Sequence, residues 1–165
     1  MTTLPRGEAA DVHRVARRRR VVAAAGAVSA GLLVLSACDK PTPVATITVG
    51  GHSVNSEAVC YNDGKALDES SLKECVKNAD DIKSIKVGQD ETVRIGVDPK
   101  IADAGWIVLV NGRQFSDSSK ETYRTIPSSA FFNVQYGTQG NTNTLSIRMG
   151  ENTNKGMWSF KLKKA

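Results

Sequence analysis

Residues 106–112 read Trp-Ile-Val-Leu-Val-Asn-Gly, and they carry the clearest signal of the fold. Five consecutive apolar residues that include an aromatic and three β-branched side chains are typical of a strand covered on both faces. Asn111-Gly112 then predicts a tight hairpin turn, because both residues accept a positive φ. The stretch therefore predicts a central strand, with Trp106 buried between two layers, that turns back into Arg113.

On both sides of this stretch, apolar residues alternate with polar ones at the period of two that indicates a strand. Turns are predicted at Gly50-Gly51, 141–143 and 150–156, and short strands between frequent turns indicate an all-β fold. The further predicted strands are Val44–Val49, Ser53–Cys60, Ile82–Val87, Thr92–Val97, Arg113–Phe115, Tyr123–Ile126, Phe131–Tyr136, Leu145–Met149 and Trp158–Lys163.

This pattern predicts an antiparallel, immunoglobulin-like sandwich of about seven to eight strands. Trp106 in a central strand resembles the buried tryptophan of immunoglobulin-like domains. The disulfide of that family joins strands far apart in sequence, whereas Cys60 and Cys75 are close neighbours. A small open barrel is therefore the alternative architecture.

The N-terminal region has three successive parts. Residues 1–20 contain six arginines and two acids, Val21–Leu35 contains no charge, and Leu35-Ser36-Ala37-Cys38 follows. An apolar segment of 15 residues is shorter than the roughly 20 that span a bilayer, and it fits the signal helix of an exported protein. The last four residues resemble the lipobox of bacterial lipoproteins, which implies a mature protein that starts at Cys38 with lipid on its sulfur.

The polar, proline-containing stretch Asp39–Pro43 indicates a tether after the anchor. We expect a lipoprotein signal peptide at 1–37, a tether at 38–43 and a β-sandwich domain at 44–165. The expected location is the extracytoplasmic face of the bacterial cell membrane. The alternatives are an ordinary signal peptide cut elsewhere and a short anchor that is never cut, and the general secretory and twin-arginine routes both stay open.

The arginine-rich leader, the junction 36–43 and the Thr/Val strand that follows resemble a family of uncharacterised actinobacterial lipoproteins with a domain of unknown function. The resemblance implies a location and no activity.

The charge of the mature part is nearly balanced. The chain has 22 basic and 17 acidic residues, and removal of residues 1–37 leaves 16 and 15, a net charge of +1. This excludes a nucleic-acid-binding domain, which needs a basic patch on the folded part. The basic tail formed by Lys161, Lys163 and Lys164 is interpreted as a solvated strand end, with contact to anionic lipid as the alternative.

The number of cysteines, three, is consistent with an exported protein. With lipid on Cys38, Cys60 and Cys75 remain as a pair, and such a pair usually oxidises outside the cytoplasm. A redox role is the other interpretation, but the pair lacks CxxC spacing. The charged segment between them loses the strand pattern, and Ser71-Leu72-Lys73-Glu74 fits a capping box, which predicts a short helix of one or two turns.

No residue pattern predicts catalysis or a cofactor. His13 lies in the leader, so His52 is the one histidine of the mature part, and no G-x-S-x-G motif accompanies it. One histidine and paired cysteines leave too few zinc ligands. Seven carboxylates are interpreted as a solvated surface, with calcium binding left open: Asp63, Asp68, Glu69, Asp80, Asp81, Asp90 and Glu91.

The aromatic residues allow two interpretations. Trp158 and Phe160 alternate at strand spacing, which favours the core over an exposed platform for sugars. Phe131 and Phe132 predict one solvent-facing ring, unless a second layer covers it, because neighbours on a strand face opposite sides.

These observations predict a non-enzymatic binding or structural role, without cofactor or metal. The membrane is the expected partner through Cys38, and an envelope protein, glycan or lipid is the expected ligand. The alternative is a small extracytoplasmic enzyme, or an enzyme accessory, that acts on envelope glycans or peptides.

Overall fold

Ten strands form the framework of the domain in the computed structural model, which describes residues 42–77, 82–133 and 140–165. The strands are β1 Ala45–Val49, β2 His52–Ser56, β3 Cys60–Tyr61, β4 Ser84–Val87, β5 Thr92–Val97, β6 Trp106–Val110, β7 Arg113–Gln114, β8 Tyr123–Pro127, β9 Thr142–Met149 and β10 Gly156–Lys164. Three short helices accompany them: α1 Glu69–Lys77, α2 Pro99–Asp103 and α3 Ser128–Phe131.

The strands form two sheets. The first sheet has the order β2-β1-β5-β8, and the second has the order β3-β10-β9-β6-β7, with β4 parallel to β10 on the side of β3. The described strands separate into two sheets and form no closed barrel, so the predicted sandwich is confirmed. The two sheets hold ten strands, against the predicted seven to eight, and two of them, β3 and β7, are only two residues long.

The strand order is immunoglobulin-like. Strands β1, β5 and β8 occupy the places of A, B and E, while β6, β9 and β10 occupy those of C, F and G. Trp106 on β6 therefore lies in the strand that carries the buried tryptophan of that architecture, and it is fully buried here. The departure is the segment of β2, β3 and α1 that is inserted before β4.

The main core lies between the sheets. Side chains from alternate positions of β5, β6, β9 and β10 are buried in one cluster, as their period of two predicts. Its members on those strands are Val93, Ile95, Val97, Trp106, Val108, Val110, Leu145, Ile147, Met149, Trp158, Phe160 and Leu162.

A second, smaller cluster lies outside the sandwich. Ile107 and Leu109 point to the outer face of β6 and are buried with Cys60 and Met157. Leu67, Leu72 and Cys75, from α1 and the loop before it, pack against them together with Val59. The prediction that residues 106–110 are covered on both faces is therefore confirmed.

The prediction of one strand over Ser53–Cys60 is wrong, because the segment is divided between β2 in the first sheet and β3 in the second. Ser56 pairs with Ala45, the first residue of β1, so the first sheet offers no further partner beyond that point. The chain then crosses to the second sheet, where the Val59 amide donates to the Met157 carbonyl (2.7 Å) and Cys60 pairs with the same residue.

Helix α1 begins earlier than the capping box predicted and is longer, with nine residues. Asp68 is its cap: the Leu72 amide donates to its carbonyl at 3.0 Å. Its carboxylate accepts the Ser70 hydroxyl at 2.6 Å, and the Ser71 amide and hydroxyl at 2.8 and 2.9 Å. These bonds, that of Ser70 first, lower the pKa of Asp68 to about 2, so the cap stays charged down to acidic pH.

The predicted strand at 131–136 is also wrong at its start, and residues 134–139 lie outside the described part. Phe131 ends α3, which is held after Pro127 by the Ser128 hydroxyl donating to the Gln89 carbonyl (2.5 Å). Phe131 is fully buried and stacks on Phe115 (centroids 5.5 Å), and Phe132 packs against the same core. Phe131 is buried and Phe132 is half-buried, so the two rings differ in exposure at a helix end and not on opposite faces of a strand.

Candidate binding face

The predicted site residues are spread over the molecule. Cys38, with the leader and most of the tether, lies outside the described residues. The predicted disulfide is present: Cys60 and Cys75 are joined, with their Cα atoms 5.7 Å apart. It fastens α1 to β3 and so holds the cover of the second cluster in place.

The side chains considered for catalysis or metal binding do not converge. His52 is exposed at the start of β2. Asp68 caps α1, and the Glu91 carboxylate accepts the Gly88 amide at 2.6 Å. Among the described residues, no three His, Cys, Asp or Glu side chains are placed to share a metal ion, and no helix is long and apolar enough to cross a membrane.

A polar surface covers the outer side of the first sheet. It is formed by the outward positions of all four strands, and we name it the hydroxyl face. No acidic residue occurs in these strands, and none of the face is apolar apart from the tyrosine ring and the proline that ends β8. The hydroxyl face consists of Thr46, Thr48, Ser53, Asn55, Thr92, Arg94, Gly96, Tyr123, Thr125 and Pro127.

Arg94 is the single charge at the middle of the hydroxyl face. It stands on the central strand β5, between Thr48 of β1 and Thr125 of β8. It is exposed, and no ion pair or hydrogen bond joins it to another side chain of the described residues. Its guanidinium donors are therefore available to a ligand.

Tyr123 is the exposed aromatic ring of the hydroxyl face, at 51 % exposure. It lies on the edge strand β8 and pairs with Gly96 of β5. Diagonal neighbours across two strands stand about 7–8 Å apart, so Arg94 and Tyr123 lie within the length of one sugar ring and its substituents.

Gly96 leaves a gap beside Tyr123 that the fold does not require. A methyl group at this position would lie 4.0 Å from Cβ and the carbonyl oxygen of Thr46, an ordinary van der Waals distance, and no atom of Tyr123 lies within 4 Å. Its φ is not positive, so the backbone does not demand glycine. A glycine inside a strand that packing does not explain is typical of a surface that a ligand approaches closely.

A cavity of about 340 Å³ lies at the end of the sandwich near α3, lined by Val87, Gln89, Ser128, Ser129, Phe132, Asn133 and Lys164. Part of its polar lining serves the fold, because Ser128 holds the β4–β5 turn through the Gln89 carbonyl. Lys164 is the one charged side chain of its lining. The cavity therefore offers a ligand fewer free polar groups than the hydroxyl face.

Comparisons with protein-family models, with curated proteins and with solved structures find no match for this chain. The fold and the surface define its class: an immunoglobulin-like sandwich with a disulfide-linked helix on one sheet and a polar face on the other.

Sequence reasoning missed the hydroxyl face. The signal was present in the outward positions of the predicted strands, which hold threonine repeatedly and acids nowhere. The face was not recognisable because strand order is a property of the fold, and it alone brings Gly96 beside Tyr123.

Proposed function

We propose that this chain is an exported, lipid-anchored envelope protein whose sandwich domain binds an acidic glycan on the hydroxyl face. The observation that carries the proposal is the gap at Gly96, flanked by the Tyr123 ring and the unpaired Arg94 guanidinium.

The side chains of the hydroxyl face fit a sugar polymer. A tyrosine ring offers an apolar surface and a polar tip, which suits the alternating C–H and hydroxyl groups of a sugar. Threonine and serine hydroxyls both donate and accept, and Thr48 and Ser53 are already joined at 3.1 Å. Since these side chains lie on paired strands, they are held in fixed positions.

Charge selects an acidic ligand. The Arg94 guanidinium presents several N–H donors in one plane, which matches the geometry of a carboxylate. The strands of the hydroxyl face contain no acid that would neutralise its charge. The hydroxyl face also lacks the paired carboxylates that glycoside hydrolysis uses. Binding is therefore the role that this surface supports.

Lipid anchoring is supported by the order of the leader and by the disulfide, since disulfides form in exported proteins. Cys38→Ser should abolish lipid attachment and release the protein from the membrane fraction. Intact-mass measurement and detergent partitioning check this. A Cys38→Ser protein that keeps its mature mass and stays in the membrane fraction would contradict the anchor.

Arg94→Met should weaken binding of acidic glycan strands by about tenfold, because one charge-assisted contact is lost. The measurement is calorimetric titration with peptide-free peptidoglycan strands, which carry a lactyl carboxylate, and with chitohexaose, which has a related backbone without it. Arg113→Met removes an exposed charge from β7 of the other sheet and is the matched control. Equal affinities for the two variants, or for the two ligands, would sink the acidic-glycan proposal.

Gly96→Ala should separate binding from stability. The methyl group fits the fold and removes a glycine from a strand, so we expect the free energy of unfolding to rise by about 0.5–1 kcal/mol. The same methyl group fills the gap beside Tyr123, so glycan affinity should fall. Thermal unfolding and the same titration are the measurements. Unchanged affinity in a more stable protein would show that the gap serves no ligand.

A further inference from the structure

The outer face of the second sheet carries a cluster of lysines. Lys163 of β10 pairs directly with Lys86 of β4, and Lys161 stands two residues earlier on β10. Their other neighbours across the strands are uncharged: Ser84, Thr142 and Thr144. We name Lys86, Lys161 and Lys163 the lysine face.

The lysine face has no neutralising partner in the described part of the chain. Strands β4, β9 and β10 contain no acidic residue, and both ion pairs of the described residues lie elsewhere, at Lys73–Glu69 and Lys120–Glu151. Like charges directly opposite each other destabilise a sheet. The pairing of Lys86 with Lys163 therefore costs the fold stability, and an anionic partner would reverse that cost.

The tether joins the domain at β10, the strand that carries Lys161 and Lys163. The Trp158 indole N–H of β10 donates to the Pro43 carbonyl at 2.8 Å, which fixes where the chain enters the sandwich. At about 3.3 Å per residue, Lys161 and Lys163 lie about 10 and 17 Å further along the same strand. The five steps from Cys38 to Pro43 span at most about 18 Å, so a membrane that holds Cys38 lies within reach of the lysines.

We infer that the lysine face docks the domain against the anionic phosphate headgroups of the membrane that holds the anchor. This inference rests on the proposed lipid anchor at Cys38. Three lysines near an anionic surface together strengthen contact by on the order of a hundredfold. Helix α1 covers the other end of the outer side of this sheet, and its two acids and two lysines balance, so the uncompensated positive charge lies at the lysine face. The hydroxyl face, on the opposite side of the sandwich, then points away from the bilayer.

The test measures lysine acetylation by mass spectrometry on the protein as isolated from the cell, whose intact mass is determined first. The protein is combined with vesicles of phosphatidylcholine, with or without phosphatidylglycerol. We expect phosphatidylglycerol to slow acetylation of Lys86, Lys161 and Lys163 severalfold, with no change at the exposed Lys65 and Lys120. Salt at about 1 M should abolish the difference, because it shortens the screening length to about 3 Å.

The variant Lys86→Gln/Lys163→Gln should remove the slowing at Lys161, while Lys65→Gln/Lys120→Gln, which loses the same charge, should retain it. Equal acetylation in both kinds of vesicle overturns the docking, whatever the intact mass. Slowing by soluble polyphosphate but not by phosphatidylglycerol overturns it in favour of an anionic polymer. An intact mass that includes no lipid would contradict the anchor at Cys38. The acetylation result would then decide separately whether the lysine face binds an anionic membrane.

Discussion

Trp106→Ala should lower the free energy of unfolding by about 3–5 kcal/mol, a large share of the roughly 5–15 kcal/mol that stabilises a domain. The ring is fully buried between the sheets, so truncation leaves a large cavity. Its indole N–H donates to the Glu121 carbonyl at 2.7 Å, and the Arg124 guanidinium lies 5.6 Å from the ring. Truncation removes these contacts as well as the packing.

Urea unfolding followed by circular dichroism measures this loss. Trp106→Phe keeps an aromatic ring but not the N–H donor, so it should cost less than Trp106→Ala. His52→Ala changes an exposed residue and should leave the unfolding curve in place. If Trp106→Ala unfolded like the unchanged protein, Trp106 would not be part of the core and the central position of β6 would be wrong.

The parts of the fold that could be predicted from sequence depend on local signals. Strand β6 and its turn were recognisable because the signal lies within residues 106–112. In the structure, Asn111 and Gly112 both adopt positive φ, at 49° and 78°. The inward residues of β5, β9 and β10 were predicted for the same reason, since an alternation along one strand already specifies which side is buried.

The wrong predictions concern segments whose structure depends on distant partners. Val54 and Val59 lie within one predicted strand, yet the first packs in the main core and the second in the smaller cluster. Phe131 was assigned to a strand, but its place is set by a hydrogen bond from Asn143 to its carbonyl at 2.9 Å. The packing of α1 against Ile107 likewise depends on the fold, so the local sequence did not predict it.

The candidate site was harder to predict than the fold. Cys60 and Cys75 follow from counting cysteines, whereas the hydroxyl face joins Thr46, Arg94 and Tyr123, which are far apart in the chain. The two outer faces differ because α1 covers one end of the second sheet, whereas nothing in the described residues covers the first. The disulfide holds α1 over the outer side of the second sheet. Its removal should therefore lower the free energy of unfolding substantially.

The double variant Cys60→Ala/Cys75→Ala should lower the free energy of unfolding by about 3 kcal/mol, the value expected for closing a loop of this length. The bond joins residues 15 apart and holds α1 over Ile107 and Leu109. Helix α1 has only nine residues, fewer than an isolated helix needs for stability in water, so it depends on the disulfide for support. The helix should therefore detach and expose the apolar outer side of β6.

Hydrogen exchange followed by mass spectrometry separates this local opening from general unfolding. Amides of β3 and α1 should exchange faster in the double variant, because the Val59 and Cys60 pairings with Met157 lose their support. Amides of β5 belong to the first sheet, so their exchange should change only with global stability. Leu72→Ala keeps the bond and removes part of the cover, so it should cause a smaller loss at the same segment. If the double variant exchanged at β3 and α1 at the unchanged rate, the smaller cluster would hold α1 by packing alone.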